Sequence, residues 1–293
     1  MPGTDIPDHF GSKTVAVKGS WLHYLEAGTG DPVLFLHGNP TWSYLWRNVI
    51  PHVEDKGRCI AVDLIGMGRS GKPDIAYRLV DHVAYLDAFI DALELRDLTL
   101  VMHDWGVAIG LHYAKRFPAR VRALAFMEGH LRPIDRWERF DEGSRAMFKD
   151  LRTDGLGQRM VIEDNFFIET ILPAGTQRTL SDREMNAYRA PYLEPRARKP
   201  LWRWPNEIPI EGTPADVVEI VNGNWHSLAA ADLPKLLLYA RPGAVIGTDA
   251  VSLCQETLSN LTAADVGDGL HFLPEDRPDE IGVALAHWLE AHT

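Results

Sequence analysis

Cysteine is nearly absent from this 293-residue chain: Cys59 and Cys254 are the only two, and they form no CxxC pair. That spacing suggests neither a disulfide framework nor a cysteine-based zinc site, and a reducing cytoplasm is the expected compartment. Basic residues are also scarce. Thirty Lys and Arg against 41 Asp and Glu leave a formal net charge of −11. With no basic tract to neutralise phosphates, nucleic acid and anionic membranes are poor partners, whereas neutral or cationic ligands fit better. Long apolar runs are missing too. Ala123–Met127 and Leu236–Ala240 fall far short of the ~18 residues that read as a membrane helix. The opening Met1-Pro2-Gly3-Thr4-Asp5 has neither the positive region nor the apolar region of a secretory signal. What is present is globular: 45% hydrophobic and 24% charged residues leave ample apolar surface for a core.

The first 130 residues alternate short β-branched runs with longer amphipathic ones, the rhythm of βαβ units and a mainly parallel sheet. Thr14–Val17 and Trp21–Glu26 read as a hairpin across Lys18-Gly19-Ser20. Pro32–Leu36, Cys59–Val62, Leu98–Met102 and Ala123–Met127 read as short buried strands. Val80–Leu93 and Trp105–Phe117 read as helices, the second stopped by Pro118. From about residue 130 to 213 the pattern becomes helical, charged and aromatic, broken by Pro173, Pro191, Pro195, Pro200, Pro205 and Pro209, and no strand run is evident. The βα rhythm resumes with Lys235–Tyr239, a strand near Thr262–Val266 and a closing helix over Asp279–Leu289. One sheet interrupted by a helical insertion is expected: residues 1–129 and 214–293 form the core, and 130–213 an inserted cap.

In an open parallel sheet, ligands gather beyond the carboxyl ends of the strands. Four such ends carry chemistry: His37-Gly38-Asn39-Pro40, His103-Asp104-Trp105-Gly106, Glu128, and Gly269-Leu270-His271-Phe272 near the C-terminus. Asp104 sits between a buried strand and a helix that begins at once, with glycines at 106 and 110 permitting close approach, which is how a nucleophile elbow is built. Read alone, Asp104 is more simply a helix N-cap. Glu128 and His271 at two other strand ends change the balance, because a nucleophile needs a base and the base an orienting acid. Glu128 is preferred as that acid because Ala240-Arg241-Pro242-Gly243, after the next strand, offers no carboxylate before Asp249.

Together with Asp63-Leu64-Ile65-Gly66-Met67-Gly68, Trp204-Pro205 through Asp216, and Glu275-Asp276-Arg277-Pro278-Asp279, these segments resemble a haloalkane dehalogenase over nearly the whole chain. The resemblance implies the α/β-hydrolase fold, with a mostly parallel eight-stranded sheet flanked by helices. Asn39 with Trp105 and a glutamate after the sixth strand resembles the subfamily that takes its acid from that position. The implied roles are Asp104 as nucleophile, His271 as base, Glu128 as orienting acid, and Asn39 and Trp105 as halide donors. Phe148, Phe166, Phe167, Pro205, Val245 and Phe272 are the implied apolar wall. A small neutral halogenated hydrocarbon would be the substrate and halide a product, with no metal or organic cofactor.

Rival readings are fewer. Gly66-Met67-Gly68-Arg69-Ser70-Gly71 fits the dinucleotide-binding spacing, but Lys72-Pro73-Asp74 continues a loop where that motif needs a helix. His37 with His103 lacks further metal ligands. An epoxide hydrolase shares the Asp nucleophile and would draw proton donors from cap tyrosines such as Tyr188 and Tyr192. A fluoroacetate dehalogenase would call for arginines beside the nucleophile, where Trp105 and Val107 stand. An inactive binding member of the fold would have lost a role residue, and all five roles are filled.

Overall fold

A computed structural model describes residues 3–292. Eight strands form one sheet: β1 (Gly11–Val17), β2 (Ser20–Ala27), β3 (Pro32–Leu36), β4 (Arg58–Val62), β5 (Leu98–His103), β6 (Val121–Met127), β7 (Lys235–Pro242) and β8 (Leu261–Gly269). Their order is β1-β2-β4-β3-β5-β6-β7-β8. β1 and β2 run antiparallel to their neighbours, and every pairing from β4 to β8 is parallel. The β1–β2 hairpin turns through Lys18 and Gly19, both at positive φ (48° and 74°), as the tightest two-residue turn requires.

Alternation along the buried strands divides the core in two. Leu34 and Leu36 of β3, Leu100 and Met102 of β5, and Leu124 and Phe126 of β6 face one side. They pack with Val83, Leu86 and Phe89 of α1 (Leu79–Ala92) and Val107 and Leu111 of α2 (Trp105–Arg116). Val33, Phe35, Val101, Ala123 and Ala125 face the other, against Trp46, Leu285 and Trp288. Strands covered on both faces are continuously apolar, which is why they were visible as runs.

The sheet order reverses where β3 lies between β4 and β5. The carboxyl ends of β3 and β5 therefore open a crevice at the topological switch point, where ligands bind in such sheets.

Between β6 and the helix Ala215–Ala230 the chain is helical, with α3 (Glu142–Leu151), Asp182–Arg189 and Lys199–Glu207 joined by shorter turns. Among the described residues the only β contacts here are single bridges, Ile134 to Ile210 and Ile210 to Thr213. They bring the two ends of the segment together. The glycine-rich loop after β4 contains no helix before Leu79. Asp63 holds it instead, accepting from Ser43 N (2.7 Å), Arg69 N (2.8 Å) and His23 Nδ1 (2.8 Å). A dinucleotide site is thereby ruled out, since no helix N-terminus faces the glycines.

A buried ion cluster fastens the helical segment to the loop after β8. Arg47 is fully buried and donates to Glu275 (2.5 and 2.9 Å) and to Glu184 (2.9 Å). Arg178 donates to the same two carboxylates (2.5 and 2.6 Å), and Tyr188 Oη to Glu275. Removing one partner of such a cluster strands an uncompensated charge, at a cost of roughly 3–5 kcal/mol. Arg47→Met should therefore lower the unfolding free energy by about that much, measured by urea unfolding, and a change under about 1 kcal/mol would show that the cluster is not cohesive.

Candidate active site

Asp104 occupies the turn from β5 into α2 with φ 54° and ψ −124°, a conformation that non-glycine residues seldom adopt and that usually marks a functional turn. Its side chain makes no capping bond to α2, so the bland reading as N-cap fails. Oδ1 instead accepts the Asn39 backbone N–H at 2.6 Å. The turn is tight enough that neighbouring positions admit no side chain. A methyl group at Gly38 would lie 2.0 Å from Asp104 Oδ1, and one at Gly106 would lie 2.3 Å from the Leu36 carbonyl oxygen. Burial disfavours the Asp104 charge, but bonding to His271 and the backbone N–H of Trp105 overcome it, and the pKa lies below its ordinary value. Asp104 is ionised at neutral pH.

His271 stands on the loop after β8, with Nε2 3.4 Å from Asp104 Oδ2 and Nδ1 3.5 Å from Glu128 Oε2. Its carbonyl accepts from His103 Nε2 at 2.8 Å, which ties the loop to the end of β5. Burial disfavours the imidazolium, yet Asp104 and Glu128 on either side outweigh it and raise the pKa to about 9.

Glu128, at φ 44° just after β6, has no solvent exposure. A buried carboxylate must be fully hydrogen-bonded. Three backbone donors meet that need: Ala244 N and Val245 N to Oε2 (3.0 and 2.8 Å), and Ile246 N to Oε1 (3.3 Å). The loop after β7 contributes no acid, as the sequence implied, but it cradles the acid from β6. That role is carried by backbone and leaves no residue-type signal.

Asn39 and Trp105 both line the cavity that Asp104 enters. The Asn39 amide reaches the Leu201 carbonyl at only 3.4 Å. Trp105 stacks on Trp204 (4.6 Å, 23°), and Trp204 on the buried His82 (4.3 Å, 26°). This column fixes the plane of the indole.

A cavity of about 540 Å³ joins these groups, lined among others by Asn39, Asp104, Trp105, His271, Phe148, Phe167, Pro205, Val245 and Phe272. Phe166 is the exception among the expected wall residues. It does not line the cavity and packs, half-buried, on the core. The chain around it is π-helical at Arg159–Glu163 and Phe167–Ile171. The wider turn breaks the 3.6-residue phase from which orientation would be inferred. The sequence reading missed His130, Arg139, Asp141 and Ser144, which also line the cavity. Tyr188 and Tyr192 are fully buried and do not line it. Neither can protonate an opening epoxide there.

The profile of the alpha/beta hydrolase fold family matches residues 31–278. A haloalkane dehalogenase of Mesorhizobium japonicum is 52% identical over 278 residues, covering 94% of this chain and 90% of that protein. One of Bradyrhizobium diazoefficiens is 45% identical, covering 93% and 92%. The crystal structure of a haloalkane dehalogenase from Bradyrhizobium elkani superposes with a TM-score of 0.94 at 44% identity, covering 96% of this chain and 98% of that one. That of a putative ancestral haloalkane dehalogenase gives 0.93 at 47%, covering 95% and 98%.

The coupling of Glu128 to His271 has a direct readout. Glu128→Gln removes one of the two negative charges that favour the imidazolium, so the His271 titration midpoint should move down from about 9 towards 6.5. NMR-monitored titration of the ring checks this, and an unchanged midpoint would refute the coupling.

Proposed function

The chain belongs to the haloalkane dehalogenases of the α/β-hydrolase fold, hydrolases that act on carbon–halide bonds, and from that membership we propose how its own residues carry out the reaction. The observation that carries the proposal is the line Glu128, His271, Asp104 at 3.5 and 3.4 Å, ending on a carboxylate held in a strained turn beneath an apolar cavity.

Asp104 Oδ2 attacks the halogen-bearing carbon in line, and the halide leaves with the bonding electrons. Asp104 is then an alkyl ester. A serine in its place would give a stable ether, whereas the ester keeps a carbonyl that water can open. His271 Nε2 takes a proton from water as the oxygen adds to the Asp104 carboxyl carbon. The oxyanion forms at Oδ1, where the Asn39 N–H already stands at 2.6 Å and the Trp105 N–H is adjacent. Collapse expels the alcohol oxygen, which takes the proton back from His271, and the freed Asp104 carboxyl releases its proton to solvent.

The electrostatics supply the timing. At rest, two carboxylates hold His271 near a pKa of about 9, unsuited to accepting a proton. Esterification erases the charge on Asp104, so the pKa falls and the imidazole becomes a base once there is an ester to open. The halide, costly in an apolar cavity, is met by the Asn39 amide and the Trp105 indole N–H. Both donors are neutral and can release it.

We propose residues 130–213 as the cap that closes the cavity, since Phe148, Phe167 and Pro205 of that stretch line it, and 1–129 with 214–293 as the core. Free, buried Cys59 and Cys254 suit a reducing compartment, and we propose the cytoplasm.

His271→Phe leaves the first step possible and removes the base for the second. Exposure to 1-bromobutane should release about one bromide per enzyme and leave a butyl adduct on Asp104, read by peptide mass spectrometry. An adduct elsewhere, or continued turnover, would remove these residues from their roles. Wild-type enzyme given 1-bromobutane and styrene oxide in parallel should form bromide but no diol, and diol without bromide would reverse the reading.

A further inference from the structure

The cavity holds a polar side chain that the proposed reaction leaves unused. Beside Asn39, Asp104, Trp105 and His271, it is lined by four further polar residues: His130, Arg139, Asp141 and Ser144. Three of them are engaged with one another or with a neighbour. Arg139 pairs with Asp135 at 2.9 Å. Asp141 Oδ1 accepts the Ser144 N–H at 3.0 Å to cap α3, and the two side chains bond each other. His130 forms no hydrogen bond among the described residues.

The backbone fixes where His130 emerges. Glu128 turns the chain at φ 44°, and Gly129 is pressed onto the elbow so closely that a methyl group there would lie 2.5 Å from Val107 Cβ and 2.8 Å from the Asp104 carbonyl oxygen. The next side chain enters the cavity beside the nucleophile, within the field of Asp104, His271 and Glu128. Burial lowers its pKa from 6.5 more strongly than the Asp104 and Glu128 charges raise it. His130 is therefore neutral at pH 7. A neutral imidazole offers one N–H donor and one ring-nitrogen acceptor.

An unpaired imidazole is a poor wall for a hydrocarbon. A plain haloalkane forces it to give up water without replacement, whereas a substrate hydroxyl restores the bond and is itself satisfied. We propose that His130 is a specificity-determining residue that hydrogen-bonds a hydroxyl on the substrate. The cavity thereby favours haloalcohols, relative to what an apolar residue at this position would allow. This rests on the dehalogenation reading above.

The test uses the whole enzyme and compares kcat/KM for bromide release from 4-bromobutan-1-ol and from 1-bromobutane, in wild type, His130→Leu and His130→Gln. The alcohol-to-alkane ratio should fall roughly 3–10-fold in the leucine variant, the yield of one hydrogen bond, chiefly through KM for the alcohol. Glutamine, which can donate and accept, should recover most of it. An unchanged ratio in the leucine variant, or loss on both substrates alike in both variants, would overturn the proposal. If wild type releases bromide from neither compound, the dehalogenation reading itself fails. Release from both with a ratio insensitive to position 130 removes only the role of His130.

Discussion

Glu128 carries a carboxylate with no access to water, and the geometry of the site depends on that group being satisfied. An unpaired charge at that depth would cost several kcal/mol, so the surrounding chain is arranged to supply donors. The loop after β7 turns three successive N–H groups onto it. The loop after β8 brings up His271. Two loops from two strands are thus positioned by one oxygen pair. His271 in turn stands over Asp104, whose own turn is held by contacts that leave no space for a side chain at Gly38 or Gly106. The site is rigid because its parts cannot separate without exposing a buried charge to an apolar wall.

The helical segment is attached by the same means. Glu275 lies four residues after His271 and is buried between Arg47, Arg178 and Tyr188. Asp276 accepts the Gln177 and Arg178 N–H groups at 2.8 and 3.1 Å, and Phe272 N donates to the Gly175 carbonyl at 3.0 Å. The loop that bears His271 is therefore also the loop to which the helical segment is fastened. Any shift of that segment would be felt at the imidazole.

This division explains what could be read from the sequence. Strands covered on both faces are short apolar runs ended by turn residues, so β3, β5 and β6 were legible, and with them the polar residues at their exits. The switch point between β3 and β5 then brings His37-Gly38-Asn39 against Asp104, which follows from strand order. The donors from residues 244–246 were not legible, because a backbone N–H is present in every residue type but proline. Phe166 packs on the core and not on the cavity, because the chain on both sides of it coils with a wider turn than a helical pattern assumes. His130 is not legible in the sequence because no strand-end pattern marks a residue two positions beyond Glu128. Its place on the cavity wall beside Asp104, partly buried and without a hydrogen bond among the described residues, is what makes it chemically distinctive.

The charge of −11 argued against polyanions, but it has little bearing on the chemistry. In the proposed first step a negative charge is not created in the cavity. It moves from Asp104 to the departing halide, over a distance of a few ångströms, while the net charge of the site stays the same. A low-dielectric cavity opposes net charge far more than its displacement between two prepared positions. In the proposed reaction one position is prepared by the N–H groups at Asp104 Oδ1, the other by the Asn39 amide and the Trp105 indole proposed as halide donors. The stack of Trp105 on Trp204 and His82 keeps the second in place before the charge arrives. Neutral donors suffice there because the charge is only passing through, and a fixed cation would deepen the halide site and slow release.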